Sequence, residues 1–417
     1  MKSRIDRRSS RTYPGFNRLI KLVLGAYLRL RFNLHGRNRE LFRRLRPPYL
    51  ILATHVGYWD PFMISVLLRD SVHWVAADQT FRNPLQGYLL QFVGAIPKTK
   101  GVSDFETIRK ILQVRRRGGV VGLFPEGQRT WDGSTLPLLS ATAKLVKLLR
   151  VPVVIARFEG HYFAHPRWAR RPRLGKVLVS FRKAFSAEEL RALAPSQIHE
   201  RLQSLMEHDD YQFQASRMIP YRSRRPAEYI ENVLFFCPEC RAEDSIRSRR
   251  RDFFCRSCGA RWHYSPEGFL STPEGRPGHR TIREWNRWQL AELRRELQAA
   301  VDGESQSPIF ETAGIKVATG FRSARIRPLA TGTMRLYRDR LVFEAGRPAS
   351  EGSRSFPLSE IDGINIQLVR KLELYHQETL YTFDPISPRV NMYKCYMALE
   401  ILSEIRGLDI DAPEDGV

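Results

Sequence analysis

The sequence predicts an α/β fold for its first half, a mixed, mostly parallel sheet flanked by helices. A small four-cysteine ribbon and a C-terminal β-rich domain with a closing helix are expected to follow. Three observations predict this architecture. Aliphatic runs alternate with segments that are apolar at helical spacing up to residue 206. Two CxxC pairs come next, and beyond residue 308 short alternating segments typical of strands precede one last helical segment.

The first half of the sequence contains strand-like and helix-like segments in alternation, the order from which a parallel sheet covered by helices is built. Aliphatic runs predict strands over residues 49–53, 72–76, 93–97, 120–124 and 151–156, and an edge strand over residues 174–181. Apolar residues at helical spacing predict helices over residues 61–68, 81–92, 105–117 and 186–206, with Ser103-Asp104 capping the third and Ser186 the fourth.

The composition is strongly basic. A formal net charge of +24 over 417 residues indicates a polyanionic partner, either anionic lipid headgroups or nucleic acid. Because no apolar run reaches the roughly 20 residues of a spanning helix, and no cleavage site follows a clean apolar core, we expect neither a transmembrane helix nor a signal peptide. The five cysteines are too few for a disulfide framework and favour a reducing compartment.

Residues 16–32 form an amphipathic segment that follows a basic leader. Such a helix can lie in a membrane interface with its cations at lipid phosphates, or it can pack on the protein core. We expect the interfacial arrangement, because the leader adds positive charge. Residues 167–173 form a basic loop that could place Trp168 at a membrane surface or leave it in a solvated loop. The cations of the amphipathic segment are Arg18, Lys21, Arg29 and Arg31.

The first predicted strand ends at the polar segment of residues 54–61, which contains His55 and Asp60. The end of a buried strand is the usual place for chemistry in an open α/β sheet. A neutral imidazole can take a proton from a hydroxyl, while a carboxylate on its other nitrogen fixes the tautomer. His55 is therefore a candidate general base, and Asp60 is its candidate orienting partner. The alternative is a structural histidine at a strand end beside a helix-capping aspartate.

A second polar cluster, residues 125–130, follows the predicted strand over residues 120–124. Gly127 lets a ligand approach the backbone, and Arg129 offers a fork of donors suited to phosphate. Glu126 could hold that guanidinium or bind a substrate hydroxyl. The alternative is a tight surface turn with a local ion pair.

The two clusters carry a resemblance to a known family. His55-x4-Asp60 and the Phe-Pro-Glu-Gly-Gln-Arg-Thr of residues 124–130 resemble the HxxxxD and FPEGxR[ST] motifs of the glycerolphosphate acyltransferase superfamily, including the 1-acylglycerol-3-phosphate acyltransferases. Residues 94–100, Gly-Ala-Ile-Pro-Lys-Thr-Lys, are similar to the family's middle motif, and Val-Pro-Val at residues 151–153 to its last. The resemblance covers roughly residues 15–220 and implies a glycerolphosphate acyltransferase-like fold there.

What the resemblance implies is an enzyme that moves an acyl chain from acyl-CoA or acyl carrier protein to the free hydroxyl of 1-acylglycerol 3-phosphate, making phosphatidate. It implies His55 as general base, Asp60 as its orienter, and no cofactor in catalysis. Two departures from the family leave the acceptor open to another lysophospholipid: Thr99-Lys100 replaces the common Asp-Arg, and residues 136–140 lack the lysine of Phe-Lys-x-Gly. The implied substrate-binding residues are Lys98, Lys100, Glu126, Gly127 and Arg129.

Two CxxC pairs separated by fourteen residues predict a metal site. Each tight CxxC turn presents two thiolates to one ion, and two such turns complete the tetrahedral four-cysteine arrangement of structural zinc. A redox dithiol pair is the alternative. The Arg-rich spacer at residues 247–251 could contact nucleic acid or lipid headgroups, or be a solvated tip. The predicted ligands of one structural zinc ion are Cys237, Cys240, Cys255 and Cys258.

The remaining sequence predicts a helix over residues 281–301, then strands and a closing helix over residues 392–405 with Cys395 in its core. This order resembles a pleckstrin-homology-like domain, which implies docking to lipid or protein; a purely structural β-domain is the alternative. The predicted domains are 1–36, a membrane-interface segment; 37–220, the acyltransferase domain; 221–275, the zinc ribbon; 276–307, a helix and linker; and 308–417, the β-rich domain.

The expected partners are an acyl thioester donor, a lysophospholipid and an anionic membrane surface, at the cytoplasmic face of the inner or plasma membrane. The alternative from another class is a zinc-ribbon nucleic-acid-binding or scaffold protein. We do not expect nucleic acid as a partner, because the base, its orienter and a phosphate-binding arginine are all present.

Overall fold

The computed structural model describes residues 14–98, 105–273, 275, 278–303, 306–321, 326–346, 352–367, 369–377, 379–388 and 390–408. The predicted basic leader, Lys100 and the Ser103-Asp104 cap lie outside these residues. The chain divides into two compact units. The first comprises Met1–Lys98, Asp104–Pro226 and Ser265–Phe269, and the second comprises Thr99–Ser103, Ala227–Tyr264 and Leu270–Val417.

A seven-stranded sheet organises the first unit. Its order is β1-β7-β6-β2-β5-β3-β4. The strands from β2 to β6 all run parallel, whereas β7 is antiparallel to β6 and pairs in parallel with β1. The predicted mixed, mostly parallel sheet is confirmed. The strands are β1 (Leu34–Arg37), β2 (Leu50–Ala53), β3 (Val72–Ala77), β4 (Ile96–Lys98), β5 (Val120–Leu123), β6 (Val153–Glu159) and β7 (Val177–Phe185).

Helices flank this sheet, and a cluster of buried aliphatic side chains that includes Leu52, Val121, Val146, Ile155 and Leu202 joins strands to helices. Within the described residues, none of the helices is long and apolar enough to cross a bilayer. The helices are α1 (Pro14–Phe32), α2 (Leu41–Arg44), α3 (Asp60–Leu67), α4 (Pro84–Phe92), α5 (Phe105–Arg116), α6 (Ala141–Leu149), α7 (His161–Ala164), α8 (Glu189–Ala192), α9 (Pro195–Met206) and α10 (Asp210–Arg217), with a 3₁₀ turn at Asp78–Phe81.

Three sequence expectations are corrected in this unit. Strand β7 is not an edge strand, because the short β1 pairs with its outer side. The helix predicted over residues 186–206 is two helices, α8 and α9, since Pro195 cannot continue a preceding helix and instead starts the next one. Trp168 is fully buried and donates its indole N–H to Tyr162 Oη at 3.2 Å, so it lies neither at a membrane surface nor in solvent.

Within its described residues, the second unit combines two antiparallel sheets with two α-helices. A four-stranded sheet, order β11-β10-β9-β8, carries the cysteines, and a seven-stranded sheet, order β15-β14-β13-β12-β18-β17-β16, follows. Their members are β8 (Ile246–Arg249), β9 (Asp252–Cys255), β10 (Arg261–Tyr264), β11 (Leu270–Ser271), α11 (Ile282–Asp302), β12 (Phe310–Gly320), β13 (Arg327–Leu336), β14 (Arg340–Ala345), β15 (Arg354–Pro357), β16 (Ile361–Gln367), β17 (Lys371–His376), β18 (Thr379–Pro385) and α12 (Met392–Ile405).

Helix α11 joins the ribbon to the β-rich part. The indole of Trp285 lies 4.9 Å from that of Trp262 and donates to Phe236 O at 2.9 Å. On the other side, Tyr393 of α12 donates to Asn286 of α11 at 3.1 Å. The predicted β-rich domain with a closing helix is confirmed, and Cys395 is buried in that helix as expected.

Candidate active site

Two of the predicted polar clusters meet at one edge of the first sheet. Strands β2 and β5 are parallel neighbours, so their carboxyl ends lie side by side. His55 follows β2, and residues 125–130 follow β5. The two segments are tied directly, because Thr130 donates its backbone N–H to His55 O at 3.0 Å. The topology therefore brings the HxxxxD segment and the second cluster together.

The side chains of His55 and Asp60 are in contact. Nδ1 of His55 lies 2.8 Å from Asp60 Oδ2, which also accepts the backbone N–H groups of Val56 at 2.7 Å and Gly57 at 2.9 Å. Asp60 is the first residue of α3, and the two N–H groups that it accepts belong to the residues four and three positions before it in the chain. Because a carboxylate only accepts, Nδ1 carries the proton, and Nε2 is the nitrogen that can take one.

Asp60 is fully buried, yet it is held as a carboxylate. Burial alone raises the pKa of a carboxyl group, but His161 and His55 on its two oxygens outweigh that effect and lower the pKa of Asp60 to about 2. The second of these contacts joins Asp60 Oδ1 to His161 Nδ1 at 2.8 Å. The aspartate is therefore ionised throughout the range in which an imidazole titrates.

Aromatic packing fixes the plane of the His55 ring. The ring stacks on Phe124 with centroids 4.1 Å apart, and Phe124 stacks in turn on Trp74. The side chain of His55 is 21% exposed. One face of the imidazole is thus covered, while part of the side chain stays accessible from outside.

Glu126 links the segment that follows β2 to the segment that follows β5. Its carboxyl oxygens accept the backbone N–H of His55 at 2.7 Å and of Leu136 at 2.8 Å. Complete burial raises the pKa of Glu126 to about 8, although the two backbone donors act in the opposite direction. Gly127 has a φ of +70°, and a Cβ there would lie 3.2 Å from the Leu139 side chain. Both residues shape the loop that carries Arg129.

Arg129 supplies a cation that interacts electrostatically with Asp60. Burial lowers the pKa of its guanidinium, and the negative charge of Asp60 acts against that lowering. Its backbone carbonyl accepts from Arg167 Nη1 at 2.8 Å, which fixes the loop. The partly buried guanidinium therefore interacts electrostatically with the carboxylate of Asp60.

The two predicted lysines are placed differently. Lys98 ends β4 and is partly buried, three strand spacings from β2, or about 14 Å at ~4.8 Å each. It can meet only a part of a substrate distant from His55. Lys100 lies outside the described residues, so its role remains a prediction.

The sequence interpretation missed His161. This residue follows Gly160 at the carboxyl end of β6, the strand that pairs with β2 on the side opposite β5. The signal that could have found it was the one used for His55, a polar residue immediately after an aliphatic strand. The resemblance did not point to it, because none of the four motif blocks contains residue 161.

The four predicted cysteines are brought together in the second unit, where their sulfur atoms all lie within 4.8 Å of one another. A tetrahedral ion with Zn–S bonds of about 2.3 Å requires S···S distances of about 3.8 Å. The pairs Cys237–Cys258 and Cys240–Cys255 are 3.8 and 3.7 Å apart. The cluster can hold a metal ion, and its dimensions fit zinc.

Comparison with known proteins finds similarity over part of the first unit. Residues 32–157 match the acyltransferase family model, a range that contains His55, Asp60 and Arg129 and ends before His161. The 1-acyl-sn-glycerol-3-phosphate acyltransferase of Bacillus subtilis (strain 168) is 26% identical over 113 residues, which are 27% of this chain and 56% of that protein. The chain thus spans little more than half the length of that relative. The predicted resemblance is confirmed.

Two solved structures are also similar. The crystal structure of the 1-acyl-sn-glycerophosphate acyltransferase PlsC from Thermotoga maritima is similar over 52% of this chain and 84% of that chain, with 15% identity and a TM-score of 0.41. The Vps36 N-terminal PH domain is similar over 25% of this chain and 85% of that chain, with 12% identity and a TM-score of 0.20.

Proposed function

We propose that this chain, whose residues 32–157 form an acyltransferase-family domain, transfers an acyl group from an acyl thioester to the free hydroxyl of 1-acylglycerol 3-phosphate. The product would be phosphatidate. The observation that carries this proposal is the contact of His55 Nδ1 with the buried Asp60, beside the partly buried guanidinium of Arg129. A base and a phosphate-binding cation at one strand edge fit an acceptor that carries both a hydroxyl and a phosphate.

The reaction follows from the tautomer of His55. Nε2 takes the proton of the acceptor hydroxyl as its oxygen bonds to the thioester carbonyl carbon. The C–S bond then breaks, and the thiol leaves with the proton that the imidazolium returns. Asp60 holds Nδ1–H throughout and stabilises the transient imidazolium by its negative charge.

Acceptor recognition is assigned to the cations at this edge. Arg129 binds the phosphate, since its planar fork matches two phosphate oxygens. Lys98, with Lys100, binds the more distant part of the acceptor headgroup or of the donor. Glu126 and Gly127 act by holding the Arg129 loop and the His55 backbone in register.

The donor is a thioester of acyl-CoA or of acyl carrier protein. Both present the same acyl–sulfur chemistry to His55 and differ in what is attached beyond the thiol. The basic surface of a chain with net charge +24 suits either, because nucleotide phosphates and an acidic carrier are both anionic. A direct comparison of the two donors on one sample would separate them.

The N-terminal helix α1 supports docking at a membrane surface. Leu28 and Phe32 are buried against the domain, and Lys21 Nζ donates to the carbonyls of Leu68, Arg69 and Asp70. Lys21 therefore ties the helix to the domain rather than reaching lipid. The opposite side of α1 exposes Leu22, Val23, Tyr27 and Leu30, between 45% and 86% accessible. Peripheral binding at the cytoplasmic face of the inner or plasma membrane is proposed on this basis.

The four-cysteine cluster is proposed to bind one zinc ion with a structural role. Four thiolates complete a tetrahedral shell and leave no position for a substrate. Phe253 and Trp262 are buried and stacked 5.6 Å apart beside the ligands, so the ion would stabilise a small apolar core.

One observation favours a second candidate function, nucleic-acid binding. Strand β8 and the turn that follows it carry Arg247, Arg249, Arg250 and Arg251, of which the last three are exposed. Such a row of arginines also fits a nucleic-acid backbone. If that were the function, binding to nucleic acid would weaken steeply with salt and anionic vesicles would not compete.

The experiment is product analysis by mass spectrometry. Purified protein is given lysophosphatidate and a panel of other lysophospholipids, each with acyl-CoA or acyl carrier protein as donor. Phosphatidate formed by the wild type and absent with His55→Ala supports the proposal. Acylation of another lysophospholipid in preference would correct the acceptor, and the absence of any acylated product would exclude an acyltransferase.

A further inference from the structure

His161 faces the carboxylate oxygen of Asp60 that His55 does not contact. Three donors converge on Asp60 Oδ2, from His55, Val56 and Gly57. The other oxygen, Oδ1, faces His161 Nδ1 at 2.8 Å, a contact that is short but not aligned as an ideal hydrogen bond. The two histidines thus contact opposite oxygens of one carboxylate.

His161 is completely buried among aromatic side chains. Its side chain has no exposed surface, and the rings of Phe158 and Phe32 lie 5.1 and 6.0 Å from its own. The ring nitrogen that faces the carboxylate of Asp60 is Nδ1, at 2.8 Å from Oδ1. Gly57 makes room for the ring, because a Cβ at that position would lie 2.8 Å from His161 Cε1.

The loop that carries His161 is clamped from outside the family-matched range. Asp210, at the start of α10, is buried and accepts the backbone N–H of Gly160 at 2.7 Å and of Tyr162 at 3.0 Å. His208 Nε2 holds the same carboxylate at 2.9 Å. The backbone N–H groups on both sides of His161 are therefore held by one buried carboxyl group.

We infer that His161 is a positioning residue of the proposed acyl-transfer site, which holds Asp60 in the orientation that keeps His55 Nδ1 protonated and Nε2 available as base. This inference rests on the proposed function. Without His161, Asp60 keeps its place in the chain but loses the only side-chain donor that faces Oδ1 among the described residues, and the carboxylate can rotate. His55 would then spend time in the wrong tautomer, which slows proton transfer without weakening substrate binding.

The test compares two substitutions of the same residue. His161→Phe keeps the ring volume and removes the donor, whereas His161→Asn places an amide N–H close to the position of Nδ1. We expect His161→Phe to lower kcat about 100-fold, with less than about threefold change in either KM, and His161→Asn to recover most of that loss. His73→Asn is the matched control, because His73 is also buried and bonds through Nδ1 to a backbone oxygen, Gly94 O at 2.8 Å.

A pH profile separates positioning from a merely structural role. When the donor to Oδ1 is removed, Asp60 becomes more basic and holds the His55 proton more tightly, so the acid limb of kcat/KM moves to higher pH in His161→Phe. The other titratable groups that interact electrostatically with Asp60 or His161 are Arg129, Glu126 and His165. Burial lowers the pKa of His165 to about 4, and His161 and three arginines act in the same direction. These groups are shared by all variants, so differences between variants report on His161.

A readout independent of turnover distinguishes this inference from the proposed function. In histidine-labelled protein, ¹⁵N NMR identifies which ring nitrogen carries the proton. We expect the Nδ1–H tautomer for both His55 and His161 in the wild type, and a mixed tautomer of His55 in His161→Phe. A His161→Phe variant with wild-type kcat and an unmoved pH profile would overturn the inference. The inference would also fail if His161→Phe and His161→Asn lost kcat equally and both lowered the melting temperature as much as His73→Asn does, because that pattern indicates a merely structural role. If the wild type makes no acylated product, the proposed function fails while the NMR result still decides the contact.

Discussion

The strand-edge site of the first unit and the cysteine cluster of the second differ in what completes them. Asp60 takes its partners from the chain itself, from two backbone N–H groups and two histidines. The four cysteines present their sulfur atoms to one point, within 4.8 Å of each other, and their thiolates repel unless a cation lies between them. On the proposed function, the first site serves chemistry and the second serves stability.

This contrast predicts opposite responses to substitution. A change at the strand edge should alter turnover far more than folding, because functional sites are rarely optimised for stability. A change at the cysteines should alter folding far more than turnover. Substitutions in each site and removal of the metal test this division.

The largest effect is expected from His55→Ala. Loss of the base should lower turnover by at least about 1,000-fold. The melting temperature should stay within a few degrees, because the ring is partly exposed and Asp60 keeps its contacts with Val56, Gly57 and His161. Product formation and a thermal melt on the same sample check both parts; turnover near that of the wild type would mean that His55 is not the base.

Removal of the metal should have the next largest effect, and this effect should be on folding stability rather than on turnover. We expect one zinc ion per chain by elemental analysis, and chelation or Cys255→Ser should destabilise the second unit by several kcal/mol. Turnover of a water-soluble substrate should fall less than about threefold. Cys395→Ala is the matched control, since this buried cysteine lies outside the cluster and its loss should leave the zinc bound. Absence of metal, or loss of turnover together with the zinc, contradicts the division.

Arg129→Gln should raise the KM for the phosphorylated acceptor about 10- to 100-fold, which corresponds to the loss of one charge-assisted contact of roughly 1.5–3 kcal/mol. Arg129→Lys should recover only part of this, because a lysine lacks the planar fork. Arg116→Gln serves as control, because Arg116 is exposed at the end of α5. Equal KM values for Arg129→Gln and the control would remove Arg129 from the phosphate site.

Glu126→Gln tests the carboxyl that joins the two strand-end segments. The pKa of Glu126 is raised from 4.5 to about 8 on folding, so the folded state binds more protons between those values and wild-type stability should fall as pH rises through that window. Glutamine does not titrate, so its stability curve should lack this slope. It also turns a donor toward one backbone N–H, at a cost of about 1–3 kcal/mol. Denaturant unfolding at a series of pH values checks this, and parallel curves would show that Glu126 does not titrate there.

The smallest effect is expected at α1. Leu30 is 86% exposed, and Leu30→Ser should weaken sedimentation with anionic vesicles about tenfold, since the burial of one leucine contributes about 1.5–3 kcal/mol. Turnover of a water-soluble, short-chain acceptor should not change. Leu148→Ser is the matched control, as Leu148 is 51% exposed on α6. If both variants bind vesicles equally, α1 is not the docking helix.

The same contrast explains how much could be predicted from the sequence. His55 with Asp60, and Cys237 with Cys240, are close in the chain, so their spacing alone indicates the local geometry. The cysteine cluster also needed only two such pairs. For these residues the prediction required no knowledge of how the strands are ordered.

Features that depend on long-range pairing could not be predicted in this way. The contact of His161 with Asp60 exists because β6 pairs with β2, a neighbour relation that alternation of strands and helices leaves open. The sequence predicts an edge position for β7 because the four-residue β1, which contains a glycine and a histidine, has no strand-like pattern.

The most direct test of the strand-edge account is a double-substitution comparison of His55→Ala, Asp60→Asn and both together, with kcat measured for acyl transfer to lysophosphatidate. If Asp60 acts only by orienting His55, the double variant should be as slow as His55→Ala alone, because there is no base left to orient. Losses that multiply in the double variant would show that Asp60 and His55 act independently, and would contradict the account.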